Sequence, residues 1–200
     1  MRRLAALIAV LALTAVVVVG LVQASSGGNG GASGDTGQPA PNRFDLDRAR
    51  AQLESAPPPL ASLHDQSSEL LGGGRAAIDR RLDALRGRPV VINKWASWCG
   101  PCRFEFPFFQ REAVKRGKEI AFLGVNASDN HGDAAEFLRE YPLPYPSYVD
   151  PKERISRSID APANYPVTVF IDAKGKTASI HQGGYRSEAD LAADIQRHLG

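Results

Sequence analysis

The two cysteines of this chain stand three positions apart in the segment Trp95-Ala-Ser-Trp-Cys-Gly-Pro-Cys102, and no other cysteine occurs among its 200 residues. The apolar run Val90-Val91-Ile92 precedes them, and Pro101 stands between them where a helix can begin. This pattern predicts a strand, a tight turn and a helix whose first turn carries both thiols. A Cys-x-x-Cys pair in that setting indicates a redox-active dithiol rather than a cross-link.

The N-terminus resembles a membrane-addressing signal. Arg2-Arg3 precede an uncharged, mostly apolar stretch from Leu4 to Val22, which has the roughly 17–25 residues of a bilayer-spanning helix. We therefore predict that residues 1–24 form a single-pass anchor in the cell membrane, with the rest of the chain outside the cytoplasm. Val22-Gln23-Ala24 resembles a signal-cleavage site, so cleavage near Ala24 and secretion is the alternative.

An extracytoplasmic location favours disulfides, so a structural bridge between Cys99 and Cys102 is an alternative to redox chemistry. A bridge across two intervening residues closes a loop too small to constrain the unfolded chain much. The spacing therefore favours the redox interpretation.

The charge balance and the placement of the histidines argue against nucleic-acid binding and against a metal site. Apart from Arg2 and Arg3, 22 of the 24 basic side chains remain against 22 acidic ones, so the chain has no basic footprint for nucleic acid. The histidines are scattered and none lies at ligand spacing from another or from the cysteines, so we predict no metal site and no cofactor. They are His64, His131, His181 and His198.

Composition divides the rest of the chain into a tether and a globular part. Residues 25–42 are rich in Gly, Ser and Asn and predict a flexible linker. Residues 43–200 predict one domain, whose first part, 43–88, is an N-terminal extension. In the extension we predict a helix over Phe44–Glu54, polyproline-like geometry over Ala56–Leu60, a loose edge hairpin within Leu60–Leu71 and a helix over Ala76–Leu85.

The remaining elements alternate and then end in a hairpin, which predicts an α/β fold with a mixed sheet and helices on both faces. Predicted strands are Val90–Trp95, Glu119–Val125, Ser147–Asp150, Pro166–Asp172 and Thr177–His181. Predicted helices run from Cys99 to Arg116, His131 to Glu140, Pro151 to Ile159 and Ser187 to Leu199. Lys94 interrupts an otherwise apolar strand, and we expect its side chain to reach solvent at the edge of the sheet. Tuning of the cysteines is the alternative role for Lys94.

The expected chemistry assigns a role to each cysteine. Cys99 lies at a helix N-terminus, where backbone N–H groups and the helix dipole stabilise a thiolate, so we expect Cys99 to attack. Cys102, one turn in, would resolve the mixed disulfide. Glu105 lies on the same helix face and is either a proton relay for Cys102 or a solvent-facing acid.

The segment from Asn93 to Pro107, Asn-Lys-Trp-Ala-Ser-Trp-Cys-Gly-Pro-Cys-Arg-Phe-Glu-Phe-Pro, closely resembles the membrane-anchored, extracytoplasmic thioredoxins of the TlpA/ResA/CcmG type. The similarity extends more loosely from about Leu60 to the C-terminus. It includes Gly124-Val-Asn126, Tyr165-Pro166, Lys174-Gly175 and Gly183-Gly184.

The resemblance implies a thioredoxin-like fold with a cis-proline loop beside the disulfide. Pro166 matches that proline and Tyr165 the residue that binds extended substrate backbone. Glu105 matches the family's acid near the buried cysteine, and Asn93 stands where cytoplasmic thioredoxins place a buried aspartate. The expected substrate-binding residues are Trp98, as a partly exposed lip, together with Gly100, Pro101, Tyr165, Pro166 and Gly184.

Two departures from the family pattern leave substrate choice open. This chain has Lys94 where the family usually has Phe, and Asn164-Tyr-Pro-Val-Thr168 where it has Gly-x-Pro-Thr-Thr. The resemblance implies a thiol:disulfide oxidoreductase that mainly reduces protein disulfides, such as those of apocytochrome c before haem attachment, with electrons from a membrane donor. The alternatives are an oxidising role in disulfide formation, a thiol peroxidase on the same fold and a tethered, non-enzymatic binding module.

Overall fold

A six-stranded sheet with strand order β1-β4-β3-β2-β5-β6 forms the centre of the computed structural model, which describes residues 44–200. The predicted anchor, residues 1–24, and tether, residues 25–42, lie outside the described residues. Among residues 44–200, every helix is too short or too polar to cross a bilayer.

The sheet is mixed, as predicted. Its central strand β2 pairs in parallel with β3 on one side and antiparallel with β5 on the other. The strands are β1 (Leu70–Leu71), β2 (Val90–Trp95), β3 (Ala121–Ala127), β4 (Ser147–Asp150), β5 (Val167–Ile171) and β6 (Thr177–Gln182). Every residue of β2, β3 and β5 is buried, which explains why these strands consist mainly of apolar residues.

Helices cover both faces of the sheet, which confirms the predicted architecture. They are α1 (Leu46–Leu53), α2 (Pro58–Asp65), α3 (Gly74–Ala84), α4 (Gly100–Arg116), α5 (His131–Glu140), α6 (Arg154–Ser158) and α7 (Glu188–Leu199). One apolar cluster joins the sheet to α4, α5 and α7, and a second joins its opposite face to α2, α3 and α6. The cysteine pair belongs to the first cluster.

The N-terminal extension differs from its prediction in two places. Only Pro57 is extended, and helix α2 begins at Pro58, because a proline in the first positions of a helix loses no intrahelical hydrogen bond. The predicted edge hairpin is also wrong. Residues Leu70 and Leu71 instead form the edge strand β1, which pairs in parallel with β4, a strand far away in the sequence.

Strand and helix ends shift by a few residues where tertiary pairing decides them. Strand β3 extends through Asn126 and Ala127, which pair with Val149 and Asp150 of β4, beyond the predicted end at Val125. Helix α6 is shorter than the predicted helix over Pro151–Ile159.

The prediction that Lys94 reaches solvent at the edge of the sheet is wrong. Strand β2 is central, and the Lys94 side chain is fully buried. A charge in that position requires partners inside the protein, and their identity is described below.

Candidate active site

Cys99 is the N-cap residue of α4, and its sulfur accepts a hydrogen bond from the backbone N–H of Cys102 at 3.1 Å. Gly100 and Pro101 form the first turn between them, and the two sulfurs are joined in a disulfide. Cys99 retains 4% exposure, whereas Cys102 is completely buried. The N–H group that faces Cys99 would also stabilise a thiolate at that sulfur once the disulfide is reduced.

The loop that leads into the cysteines is held by one carboxylate. Asp129 accepts hydrogen bonds from the backbone N–H of Ser97 at 2.6 Å and from its hydroxyl at 2.8 Å. The amide of Asn126, at the end of β3, donates to the same carboxylate at 2.8 Å. The carboxyl ends of β2 and β3 are therefore tied together directly beside the disulfide.

A proline and a glycine from distant parts of the chain lie beside the Gly100-Pro101 turn. The Tyr165–Pro166 peptide bond is cis, as the resemblance implies. A Cβ atom added to Gly184 would lie 3.4 Å from Cβ of Pro101 and 3.7 Å from Cγ of Pro166. The fold thus brings Pro101, Pro166 and Gly184 together, and the missing side chain of Gly184 leaves room between them.

Trp98 lies on the exposed side of this cluster. Its side chain is 60% exposed, and its ring packs edge-to-face on Tyr165 with 4.9 Å between centroids. Its indole N–H donates to the backbone carbonyl of Ser128 at 3.1 Å. Trp98 occupies the position expected of a lip, whereas Trp95, at the end of β2, is fully buried.

Glu105 lies one turn beyond Cys102 and is completely buried, which excludes the solvent-facing interpretation. One carboxyl oxygen accepts from the Asn93 amide at 2.8 Å and the other from the backbone N–H of Tyr185 at 3.0 Å. Burial raises the pKa of Glu105 to about 8, and the two hydrogen bonds only partly oppose that rise. A carboxyl group with this pKa is present in both protonation states near pH 8.

Sequence reasoning missed several residues that hold the site together. Asp129, Ser128, Glu153 and Tyr185 come from loops whose sequences carry no motif. Glu153 is the ion-pair partner of Lys94, and the isolated charge in an apolar strand was the one signal that such a partner was needed. Among the described residues no cluster of His, Cys, Asp and Glu side chains is arranged to hold a metal ion.

The chain is similar in sequence to a known protein family and to individual known proteins. A family model described as Redoxin matches residues 76–195. The thioredoxin-like protein YneN of Bacillus subtilis is 32% identical over 125 residues, which cover 60% of this chain and 68% of YneN. The thiol-disulfide oxidoreductase ResA of Geobacillus kaustophilus is 27% identical over 122 residues, covering 60% of this chain and 67% of ResA.

A solved structure supports the fold assignment. The crystal structure of a putative thiol:disulfide interchange protein DsbE from Chlorobium tepidum matches with a TM-score of 0.54 and 32% sequence identity. The match covers 60% of this chain and 85% of that one. Together with the mixed sheet, this match confirms the predicted thioredoxin-like fold.

Proposed function

The chain belongs to the Redoxin family, as a TlpA/ResA/CcmG-like member of the thioredoxins, and we propose that it is an extracytoplasmic thiol:disulfide oxidoreductase that reduces disulfides in protein substrates. One observation carries the proposal. The disulfide caps helix α4 at its N-terminus, beside Pro166 and Gly184, with the proton-exchanging Glu105 buried one turn behind it.

The first chemical step belongs to Cys99, the more accessible of the two cysteines. In the reduced protein its thiolate attacks one sulfur of a substrate disulfide. The substrate S–S bond breaks, a mixed disulfide between Cys99 and the substrate forms, and the other substrate sulfur leaves as a thiolate that takes up a proton.

The second step belongs to Cys102. After losing its proton, Cys102 attacks the sulfur of Cys99, so that the mixed disulfide breaks and the Cys99–Cys102 disulfide forms. The second substrate sulfur leaves and is protonated. The substrate gains two electrons and two protons, and the protein is left in the oxidised state that the structure contains.

Glu105 is the group that we assign to proton transfer at Cys102. It lies three residues beyond Cys102 on the same helix, and its pKa of about 8 is close to the ordinary thiol pKa of about 8.5. A base and an acid of similar pKa exchange a proton with little free-energy cost.

We assign substrate binding to the surface around the disulfide. The residues are Trp98, Gly100, Pro101, Tyr165, Pro166 and Gly184. Because Gly184 has no side chain, a substrate segment can approach the backbone there. Trp98 and Tyr165 offer aromatic surface to the side chains of that segment.

Replacing each cysteine tests the exchange mechanism. Cys99→Ser is expected to abolish reduction of a protein disulfide, whereas Cys102→Ala is expected to accumulate a mixed disulfide with the substrate on Cys99. Non-reducing gel electrophoresis followed by mass spectrometry would detect that adduct and identify the substrate in intact cells. Exchange activity that survives Cys99→Ser would contradict the mechanism.

The reduction potential tests the direction of electron flow. A reductant of the proposed kind should have a potential near that of thioredoxin, about −270 mV. Equilibration of the purified protein with dithiothreitol or glutathione buffers gives the value. A potential near about −120 mV would instead identify an oxidant.

We extend the proposal to location and partners on the strength of the N-terminal sequence. Residues 1–24 would anchor the protein in the cell membrane and residues 25–42 would tether the domain outside it. The donor would then be a membrane protein that supplies a dithiol, and apocytochrome c is the proposed substrate. Labelling of reduced Cys99 in intact cells by a membrane-impermeant maleimide tests the location.

A further inference from the structure

Lys94 makes three contacts inside the protein, although it lies on the central strand of the sheet. Its ammonium group donates to the backbone carbonyl of Pro162 at 2.7 Å and lies 3.5 Å from a carboxylate oxygen of Glu153. It also lies 4.1 Å from the centre of the Tyr165 ring, within the range of a cation–π interaction. Pro162 and Tyr165 belong to the segment that leads into the cis-proline, whereas Glu153 lies in the loop between β4 and α6.

Glu153 accepts hydrogen bonds from the other members of this network. Its second carboxylate oxygen accepts from the Tyr165 hydroxyl at 2.6 Å and from the Ser128 hydroxyl at 2.8 Å. Burial alone would raise the pKa of Glu153, but these hydrogen bonds and the charge of Lys94 together lower it, which favours the carboxylate. The carboxylate thus joins β2, the loop after β3 and the loop before β5.

Backbone geometry supports a specific role for this network. Ser128 and Glu153 both adopt left-handed backbone conformations, with φ of 50° and 52°, which cost free energy for residues other than glycine. Such conformations persist only where surrounding contacts hold them. Here both residues place their hydrogen-bonding groups on Tyr165 and Trp98.

Apart from the hydrogen bond to Pro162, the network leads to two aromatic side chains near the disulfide, Tyr165 and Trp98. Tyr165 directly precedes the cis-proline, and Trp98 directly precedes Cys99. Their rings are in contact, and the carbonyl of Ser128 holds the Trp98 indole. A change at Lys94 or Glu153 therefore reaches both rings without touching either cysteine.

We propose that Lys94 and Glu153 form a positioning pair that holds the aromatic side chains of Tyr165 and Trp98 in place. These two side chains form part of the surface that binds an extended segment of the substrate protein. The inference rests on the proposed function, and it identifies the Lys94–Glu153 pair as a determinant of how the protein substrate is recognised.

Energetics support positioning rather than stabilisation as the role of the pair. Desolvation makes a buried ion pair a weak source of stability, and an apolar pair of similar volume often stabilises a protein equally well. An apolar residue at position 94 could not, however, balance the charge of the Glu153 carboxylate, which accepts a hydrogen bond from the Tyr165 hydroxyl. The ion pair therefore supplies orientation, which a hydrophobic replacement would not.

Two isosteric variants, Lys94→Met and Glu153→Gln, test the proposal. The Arg116→Met variant is a matched control, because Arg116 pairs with the buried carboxylate of Glu112 at the opposite end of α4. Each variant is assayed for reduction of insulin, as a protein probe, and of hydroxyethyl disulfide, as a probe that has no polypeptide backbone or side chains.

The expected result is a split between the two probes. Lys94→Met and Glu153→Gln should raise KM for insulin about 10-fold. The kcat for insulin and the rate of hydroxyethyl disulfide reduction should change by less than about twofold. The reduction potential should not change. Arg116→Met should leave KM unchanged. Equal losses on both probes, a shifted potential or an unchanged KM for insulin would each overturn the proposal.

Tryptophan fluorescence provides a test that needs no substrate. The chain has two tryptophans, and Trp95 is buried, so acrylamide quenching reports mainly on Trp98. Lys94→Met and Glu153→Gln should increase quenching relative to the wild-type protein, whereas Arg116→Met should not. Equal quenching in the three variants would overturn the proposal. If the wild-type protein reduces neither probe, the proposed function fails, while the quenching result still decides the positioning role.

Discussion

Glu105 is a buried acid that is mainly protonated at neutral pH, because its pKa is about 8. Asn93 suits both protonation states, since its amide offers a donor in one orientation and an acceptor in the other. The Asn93 carbonyl oxygen has no partner among the described residues, so it is free to accept from a protonated carboxyl after rotation of the amide. Asn93 thus provides the flexibility that a proton-exchanging neighbour needs.

Glu105→Gln is expected to change how the stability of the oxidised protein depends on pH. The folded-state pKa of Glu105 lies above its ordinary value of 4.5, so its favourable contribution is complete below about pH 4.5 and is lost as the pH rises through about 8. Between about pH 5 and about pH 9, the wild-type free energy of unfolding should fall by on the order of 4 kcal/mol relative to Glu105→Gln.

Urea denaturation at several pH values measures this difference. Glu119→Gln, at an exposed position, removes the same charge and serves as the control. Parallel stability profiles for the wild-type protein and Glu105→Gln would contradict a raised pKa at this position. In single-turnover exchange, Glu105→Gln should also slow resolution by Cys102 by about 100-fold.

Strands β3 and β4 pair through Gly124 and Ser147 beside the buried Trp95. A Cβ atom on Gly124 would overlap the hydroxyl of Ser147 and lie 2.8 Å from its Cβ atom. The same hydroxyl accepts a hydrogen bond from the Trp95 indole at 3.1 Å. The glycine therefore allows a polar contact between β2 and β4 across the intervening strand.

Gly124→Ala is expected to destabilise the protein by about 1–3 kcal/mol, because the new methyl group must displace Ser147 from a fully packed site. The double variant Gly124→Ala with Ser147→Gly should recover part of that loss, since it removes both overlapping atoms. Thermal unfolding of the two variants and of Ser147→Gly alone measures the coupling. Additive losses in the double variant would show that the predicted overlap is not the cause.

The N-terminal extension is part of the core of the whole domain, although the family model begins only at residue 76. Leu53, Leu60 and Leu63 are fully buried, and the last two pack into the cluster beneath the sheet. His64 lies within hydrogen-bond distance of the carbonyl oxygens of Gly117 and Pro144. Helix α2 therefore packs into the hydrophobic core, and its His64 contacts both the C-terminal end of α4 and the loop before β4.

Leu60→Ala is expected to lower the free energy of unfolding by about 2–5 kcal/mol, the usual cost of a cavity at a fully buried leucine. Leu82→Ala, at a half-buried position on α3, is the control and should cost less. Urea denaturation provides both values. A loss at Leu60 no larger than at Leu82 would contradict the packing of α2 into the core of the domain.

Local sequence patterns predicted most of the elements. Strand β2 and helix α5 have the predicted bounds, because a continuous apolar run and a capped amphipathic stretch are strong signals within the sequence itself. The helix that begins after Cys99 was equally clear, since a proline and the cysteine spacing mark its first turn. Strand β1 carried no such signal, because its pairing with β4 alone makes it a strand.

For the site, the cysteine spacing predicts the chemistry, whereas the packing of distant segments sets the environment of the cysteines. The spacing of Cys99 and Cys102 places both sulfurs in one helical turn whatever surrounds them. The burial and pKa of Glu105 depend on Tyr185, 80 residues away, and Lys94 faces inward because Glu153 comes from a distant loop. Packing of distant segments sets desolvation and charge pairing, and no local pattern in a sequence records which segments will meet.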